Sequence, residues 1–173
     1  MTTPMTPDEY DRIARSNCFV CRIVEGKPLV ANPHIVYEDE QVIAFLNQFP
    51  PQEGYTLVCP KRHVERLESD LMAEEWLHLQ MVVQRVALAV SETTNAIRMY
   101  IASLGSPERN AHIHIHVCPC PPNTPFVAQQ FEAMQIKNGK YLLLSDERLQ
   151  ELSSTIRNKL AHENTPDIRK RNA

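Results

Sequence analysis

Residues 112–118 read His112-Ile113-His114-Ile115-His116-Val117-Cys118. Strict alternation of ring and aliphatic side chains is the period of a β-strand. Three imidazoles project from one face, and Ile113, Ile115 and Val117 point from the other into a core. With seven histidines in 173 residues, chance produces such a run in about one sequence in a hundred. A solvated strand face would take Thr or Lys more readily than three rings. The pattern therefore points to a metal site or to imidazole chemistry.

Outward from that strand, the spacing of apolar residues predicts its partners. Ile35-Val36-Tyr37 and Val42–Leu46 read as two strands around the polar turn Glu38-Asp39-Glu40, and Tyr55–Cys59 as a third, stopped by Pro60. Met72, Trp76, Leu79, Val83, Val86 and Val90 recur at spacings of three and four, which predicts a long helix over 70–92. Ile97–Ala102 reads as a strand, followed by a polar loop over 103–111. Pro119, Pro121, Pro122 and Pro125 are expected to end the histidine strand. Beyond them the pattern predicts a helix near 126–135, a turn at Asn138-Gly139 and a strand over Tyr141–Leu144. A C-terminal helix follows, capped at Ser145-Asp146-Glu147 and striped by Leu149, Leu152, Ile156 and Leu160. Thr6-Pro7-Asp8-Glu9 marks a short first helix. The expected class is α+β: about five antiparallel strands, a long central helix and a C-terminal helix in one domain.

Composition bounds the function. The chain is 43% hydrophobic and 23% charged with a formal net charge of −3, which disfavours a broad nucleic-acid footprint but not a small anionic ligand. No run approaches eighteen apolar residues, so no helical membrane span is expected. The first seventeen residues include Asp8, Glu9 and Asp11 and lack the apolar run of a signal peptide. Five cysteines do not pair evenly, which argues for reduced thiols and a cytoplasmic location. Cys18-Phe19-Val20-Cys21 is a C-x-x-C pair: a redox pair, two small packed side chains, or half of a zinc site completed by the histidine strand and His63. Cys59, Cys118 and Cys120 read as packed thiols, and His34, His78 and His162 as surface or structural residues.

The run 112–118 resembles the histidine triad signature, His-φ-His-φ-His-φ-φ, where φ is apolar. The stretch from Cys18 through IVYEDEQVIAFLNQFPPQEGYTLVCPKRHVERL is similar to the N-terminal half of that family, so the resemblance spans residues 18–119. It implies a histidine triad domain over 18–122; 1–17 then reads as an N-terminal extension, 123–162 as a C-terminal extension of the same domain, and the polar residues 163–173 as a tail. It also implies a nucleotide hydrolase or transferase acting at the α-phosphate of a dinucleoside polyphosphate or nucleoside phosphoramidate. By position, His114 would be the nucleophile that forms a nucleotidyl-imidazole intermediate, and His116 would contact the phosphate and leaving group.

The zinc-containing members imply a structural Zn²⁺ on Cys18, Cys21, His63 and His112. The nucleoside pocket carries over to Asn47 for the ribose and to Val20, Ile23, Phe45 and Leu46 as apolar walls. Asn47 in place of Asp resembles the fragile-histidine-triad branch. Ser106, Arg109 and Asn110 are the candidate phosphate contacts of a loop whose only glycine is Gly105. Tyr55 stands where many members carry a histidine. The family forms two-fold dimers to which the long helix contributes, so a homodimer is expected. Two other readings stay open: a nucleotide-binding scaffold with little turnover, and a hydrolase with an open zinc site.

Overall fold

Asp39 turns the first hairpin. Its Oδ1 accepts the backbone N–H groups of Gln41 (2.8 Å) and Val42 (2.7 Å), while the Tyr37 hydroxyl donates to Oδ2 at 2.7 Å. An Asx turn of this kind returns the chain antiparallel. It joins β1 (Ile35–Glu38) to β2 (Val42–Leu46), and Gly54, at φ +84°, precedes β3 (Thr56–Pro60). The computed structural model describes residues 18–29, 32–107, 110–135 and 141–162, with Thr6 and Glu9. The remaining elements are α1 (Phe19–Val24), α2 (Ala73–Thr94), β4 (Arg98–Ser103), β5 (Ile115–Cys120), a 3-10 turn (Phe126–Ala128), α3 (Phe131–Met134) and α4 (Asp146–His162).

The five strands form one antiparallel sheet in the order β1-β2-β3-β5-β4. The sheet separates two cores. On one side Ile113, Ile115 and Val117 pack with Ala44, Leu46 and Val58 beneath Leu79, Val82, Val83, Val86 and Val90 of α2. Leu149, Leu152, Ile156 and Leu160 of α4 complete that core, each contributing about 1.5–3 kcal/mol by burial. Arg157 also donates to the carbonyl of Ile35 at 2.6 Å, fixing α4 to β1. On the other side Ile43, Phe45, Tyr55, Leu57 and Cys118 pack with Phe19 and Val20 of α1 and Ala133 and Met134 of α3. The histidine side chains belong to this second face.

Helix α2 starts where the Met72 N–H donates to the Glu75 carboxylate (2.9 Å), itself gripped by Arg62 at 3.1 and 2.7 Å. It ends at Asn95 in the left-handed region, φ 52°. The first turns of the expected stripe are not core: Met72 is 65% and Trp76 36% exposed, and Val82 and Ala89 take up the buried face instead. Three other expectations are corrected. Residues 141–144 form no strand; Leu142 makes one backbone bond, to the carbonyl of Pro50 (2.8 Å). The helix over 126–135 is two short turns.

The histidine strand begins only at Ile115, because no described strand pairs with His112–His114, and it runs through Pro119 to Cys120, because β3 pairs only as far as Val117 and β5 there meets β4 alone. Thr6 and Glu9 make the reciprocal bonds of a capping box, Thr6 N–H to Oε2 at 3.0 Å and Glu9 N–H to Oγ1 at 3.3 Å. The turn at Asn138-Gly139 and the tail over 163–173 lie outside the described residues. No described helix is long and apolar enough to cross a membrane.

Candidate active site and metal centre

The Ile113 N–H donates to the carbonyl of Val64 at 2.8 Å, so the segment entering β5 is tied to the segment leaving β3. That bond brings His112 beside His63, with ring centroids 4.8 Å apart. Cys18 caps α1, its Sγ accepting the Cys21 N–H at 3.4 Å, and both thiols then face the two rings. Cys18 Sγ lies 3.2 Å and Cys21 Sγ 3.6 Å from His112 Nδ1, and Cys21 Sγ lies 3.2 Å from His63 Nδ1. All four donor atoms fall within 4.8 Å of one another. A tetrahedral zinc with ordinary bond lengths separates its donors by about 3.3–3.8 Å, so these residues fit that ion with small adjustments.

The surrounding bonds support the fit. His112 Nε2–H donates to the carbonyl of Pro60 (2.8 Å) and His63 Nε2–H to the Glu65 carboxylate (3.1 Å). Each ring is thereby left with its Nδ1 lone pair toward the cysteines, as metal-bound imidazoles are usually oriented. Burial, with Cys18 alongside, pushes the Cys21 thiol up to about 12, and burial lowers His112 to about 4. Without a cation the Cys21 thiol holds its proton; a bound divalent ion displaces it.

His114 and His116 sit further along the same face, their centroids 4.7 Å apart. His114 Nδ1 is 2.6 Å from the carbonyl oxygen of His112. A carbonyl only accepts, so Nδ1 carries the proton and Nε2 keeps its lone pair. Burial lowers the pKa of His114, so the ring is neutral at pH 7. Phe19 meets it edge-on at 5.8 Å, and Phe45 stands behind Phe19 at 6.1 Å. His116 Nδ1 lies 2.8 Å from the Tyr55 hydroxyl. Burial and the neighbouring His114 push His116 down to about 3.

The nucleoside-side residues are partly assembled. Val20 and Phe45 are buried on the histidine face, with Ile23 half-buried against them. Leu46 does not join them: adjacent strand residues point to opposite faces, and Leu46 packs in the core under α2. Asn47 donates its backbone N–H to the carbonyl of Tyr55 (2.9 Å), and its Oδ1 accepts the Phe49 N–H (2.9 Å). Among the described residues its Nδ2 and one lone pair have no partner and remain for a ligand. In the loop, Ser106 lines a cavity of about 250 Å³ with Gly105, Arg66 and Ile113, and Asn110 adopts φ 52°. Arg109 lies outside the described residues.

Phe19 and the Tyr55–His116 bond are features that sequence reasoning missed. An aromatic inside the C-x-x-C of α1 was the available signal for Phe19. Cys59, Cys118 and Cys120 are buried free thiols, and the Cys118 S–H donates to the carbonyl of Ala133 at 3.5 Å. His34 and His78 are held by Asp146 (3.0 Å) and Asp39 (2.8 Å), as structural residues would be.

Comparison with known proteins places this geometry. The HIT domain family matches residues 29–122. An uncharacterized HIT-like protein of Saccharolobus solfataricus is 29% identical over 128 residues, 72% of this chain and 88% of its own length. A bis(5'-adenosyl)-triphosphatase of Dictyostelium discoideum is 33% identical over 94 residues, 51% of this chain and 62% of its own. The crystal structure of a Zn-bound histidine triad family protein from Mycobacterium smegmatis superposes with a TM-score of 0.61 at 28% identity, covering 85% of this chain and 95% of that one. The match extends over more than half of the residues and includes the triad, and the chain belongs to the histidine triad (HIT) family.

Proposed function

We propose that the chain is a nucleotidyl hydrolase or transferase acting at the α-phosphate of a nucleotide conjugate. The observation that carries this reading is the 2.6 Å bond from His114 Nδ1–H to the His112 carbonyl, which leaves a neutral imidazole whose Nε2 keeps its lone pair. In the first step Nε2 bonds to phosphorus while the bond from phosphorus to the leaving group breaks, its electron pair going to the leaving atom. In the second step a water oxygen, or another acceptor, bonds to phosphorus as its proton passes to solvent, and the P–N bond returns its pair to His114. The bis(5'-adenosyl)-triphosphatase among the relatives supports a dinucleoside polyphosphate as a first substrate to try.

Cys18, Cys21, His63 and His112 would hold a structural zinc. Four protein donors leave no open position for water, so its chemistry is to fix the segment that carries His112 and His114 into β5. The homodimer expected from the family is also proposed. Met72, Leu77 and Met81 on or beside α2 are 65%, 68% and 51% exposed, apolar surface that a second copy would cover.

The test is incubation with diadenosine triphosphate, followed by intact-mass detection of a nucleotidyl adduct that maps to His114. His114→Ala is expected to abolish both adduct and turnover while circular dichroism stays native. Nucleotide binding with neither adduct nor turnover would overturn this reading in favour of a binding scaffold.

A further inference from the structure

Tyr55 leads into β3 and is 2% exposed, with its ring edge-on to His116 at 5.7 Å. Its hydroxyl bonds to His116 Nδ1 at 2.8 Å and, among the described residues, to nothing else. A buried phenol has one proton to place. No carbonyl or carboxylate of the described residues receives it, so Nδ1 of His116 does. The neutral ring then carries its own proton on Nε2. His114 is held the opposite way, its Nδ1–H on the His112 carbonyl. Two neighbouring rings are thus locked in opposite tautomers, one presenting a lone pair and the other an N–H. His116 Nε2 is buried and has no partner among the described residues, a donor still lacking its acceptor.

We infer that Tyr55 is a positioning residue that holds His116 as a neutral Nε2–H donor to the leaving group, which selects phosphoanhydride over phosphoramidate substrates. The inference rests on the nucleotidyl transfer proposed for His114. When the leaving group is a phosphate, the His114–phosphorus bond forms, the P–O bond breaks, and the pair stays on an oxygen that is stable as an anion. That oxygen needs a hydrogen bond and no proton, so His116 stays neutral throughout. When the leaving atom is an amine nitrogen, it must gain a proton as the P–N bond breaks. Neither group supplies one: burial holds the Tyr55 proton above its usual range and keeps His116 uncharged.

The experiment uses the full chain, its Tyr55→Phe variant, which removes one oxygen and keeps the ring, and His116→Gln for assignment. Long-range ¹H–¹⁵N correlation reads the tautomer directly and needs no substrate. The expected wild-type result is Nε2–H on His116, with a mixture in Tyr55→Phe. The lock is overturned if His116 carries its proton on Nδ1. In kinetics, wild type is expected to favour diadenosine triphosphate over adenosine 5'-phosphoramidate by about 10²-fold or more in kcat/KM. Tyr55→Phe should lower kcat on the anhydride about tenfold with little change in KM, and have no further effect in a His116→Gln background. Equal turnover of the two wild-type substrates overturns the selectivity. A locked Nε2–H with no turnover of either substrate instead overturns the transfer reading on which the selectivity rests.

Discussion

Gly105 stands against the ring of His114: a Cβ on the glycine would lie 3.3 Å from Cε1 of that ring and 2.9 Å from the carbonyl oxygen of Asn110. The Asn110 contact is backbone and cannot swing aside, so Gly105→Ala must move either the loop or the imidazole. Displacing an attacking atom by a fraction of an ångström is expected to lower kcat by up to about 10²-fold. The thermal midpoint should fall little, since no buried core is disturbed. Steady-state kinetics beside thermal unfolding checks this, and wild-type kcat in the variant would show that the close approach has no catalytic consequence.

The metal centre makes a graded prediction. Cys21→Ser is expected to abolish stoichiometric zinc, measured on the purified chain, because the site loses a thiolate among only four donors. Glu65→Gln keeps all four and changes only the acceptor of His63 Nε2–H, now 3.1 Å away. It should retain zinc but weaken its affinity about 10–100-fold in a chelator competition. Full zinc content in Cys21→Ser would remove that residue from the donor set.

Much of this site was legible because the alternation over 112–117 and the C-x-x-C spacing are local patterns that directly encode which side chains share a face. What was not legible depended on partners far along the chain. Leu46 has the same apolar character as Phe45, and only the register of β2 sends one under α2 and the other toward His114. Tyr141–Leu144 has strand-like composition, yet Tyr141 lies edge-on to Phe49 at 5.6 Å and Leu142 bonds to Pro50, covering a loop instead of joining a ladder. Trp76 keeps helical spacing, but periodicity does not reveal which turns of a helix find something to pack against. Tyr55 was conspicuous as a departure from the family, whereas its bond to a residue 61 positions away required the fold.

Arg148 of α4 reaches back to the loop that carries Asn47. It binds Glu53 at 2.9 and 2.6 Å and Glu151 at 2.6 Å, and its hydrogen bonds, with its charge behind them, hold the Glu53 carboxyl below the usual range. The pair is 40% and 38% exposed, so Arg148→Ala should destabilise the fold by only about 1 kcal/mol or less. The loop runs from Asn47 to Tyr55, so the larger effect is expected on KM for the nucleotide, raised several-fold with kcat nearly kept. Glu53→Arg combined with Arg148→Glu should recover part of the KM. Additive losses in the double variant would show that the pair does not act as a unit.

The stability of the fold should fall on mild acidification, and His116 accounts for part of that fall. In the folded chain its pKa is lowered from 6.5 to about 3, first by burial and then by His114. Between those values the unfolded chain binds a proton that the folded chain does not. Its contribution is therefore complete above pH 6.5 and is lost progressively as pH drops toward 3, by at most about 1.4 kcal/mol per pH unit. Carboxylates add slopes of the same sign, so the measurement is a difference: urea unfolding of wild type and His116→Gln at pH 7, 6 and 5. The glutamine variant does not titrate, and its stability should decline less steeply across that range. Equal slopes would mean that the imidazole takes up its proton as readily folded as unfolded, which is incompatible with a buried ring 4.7 Å from His114 whose Nδ1 is occupied by the Tyr55 hydroxyl.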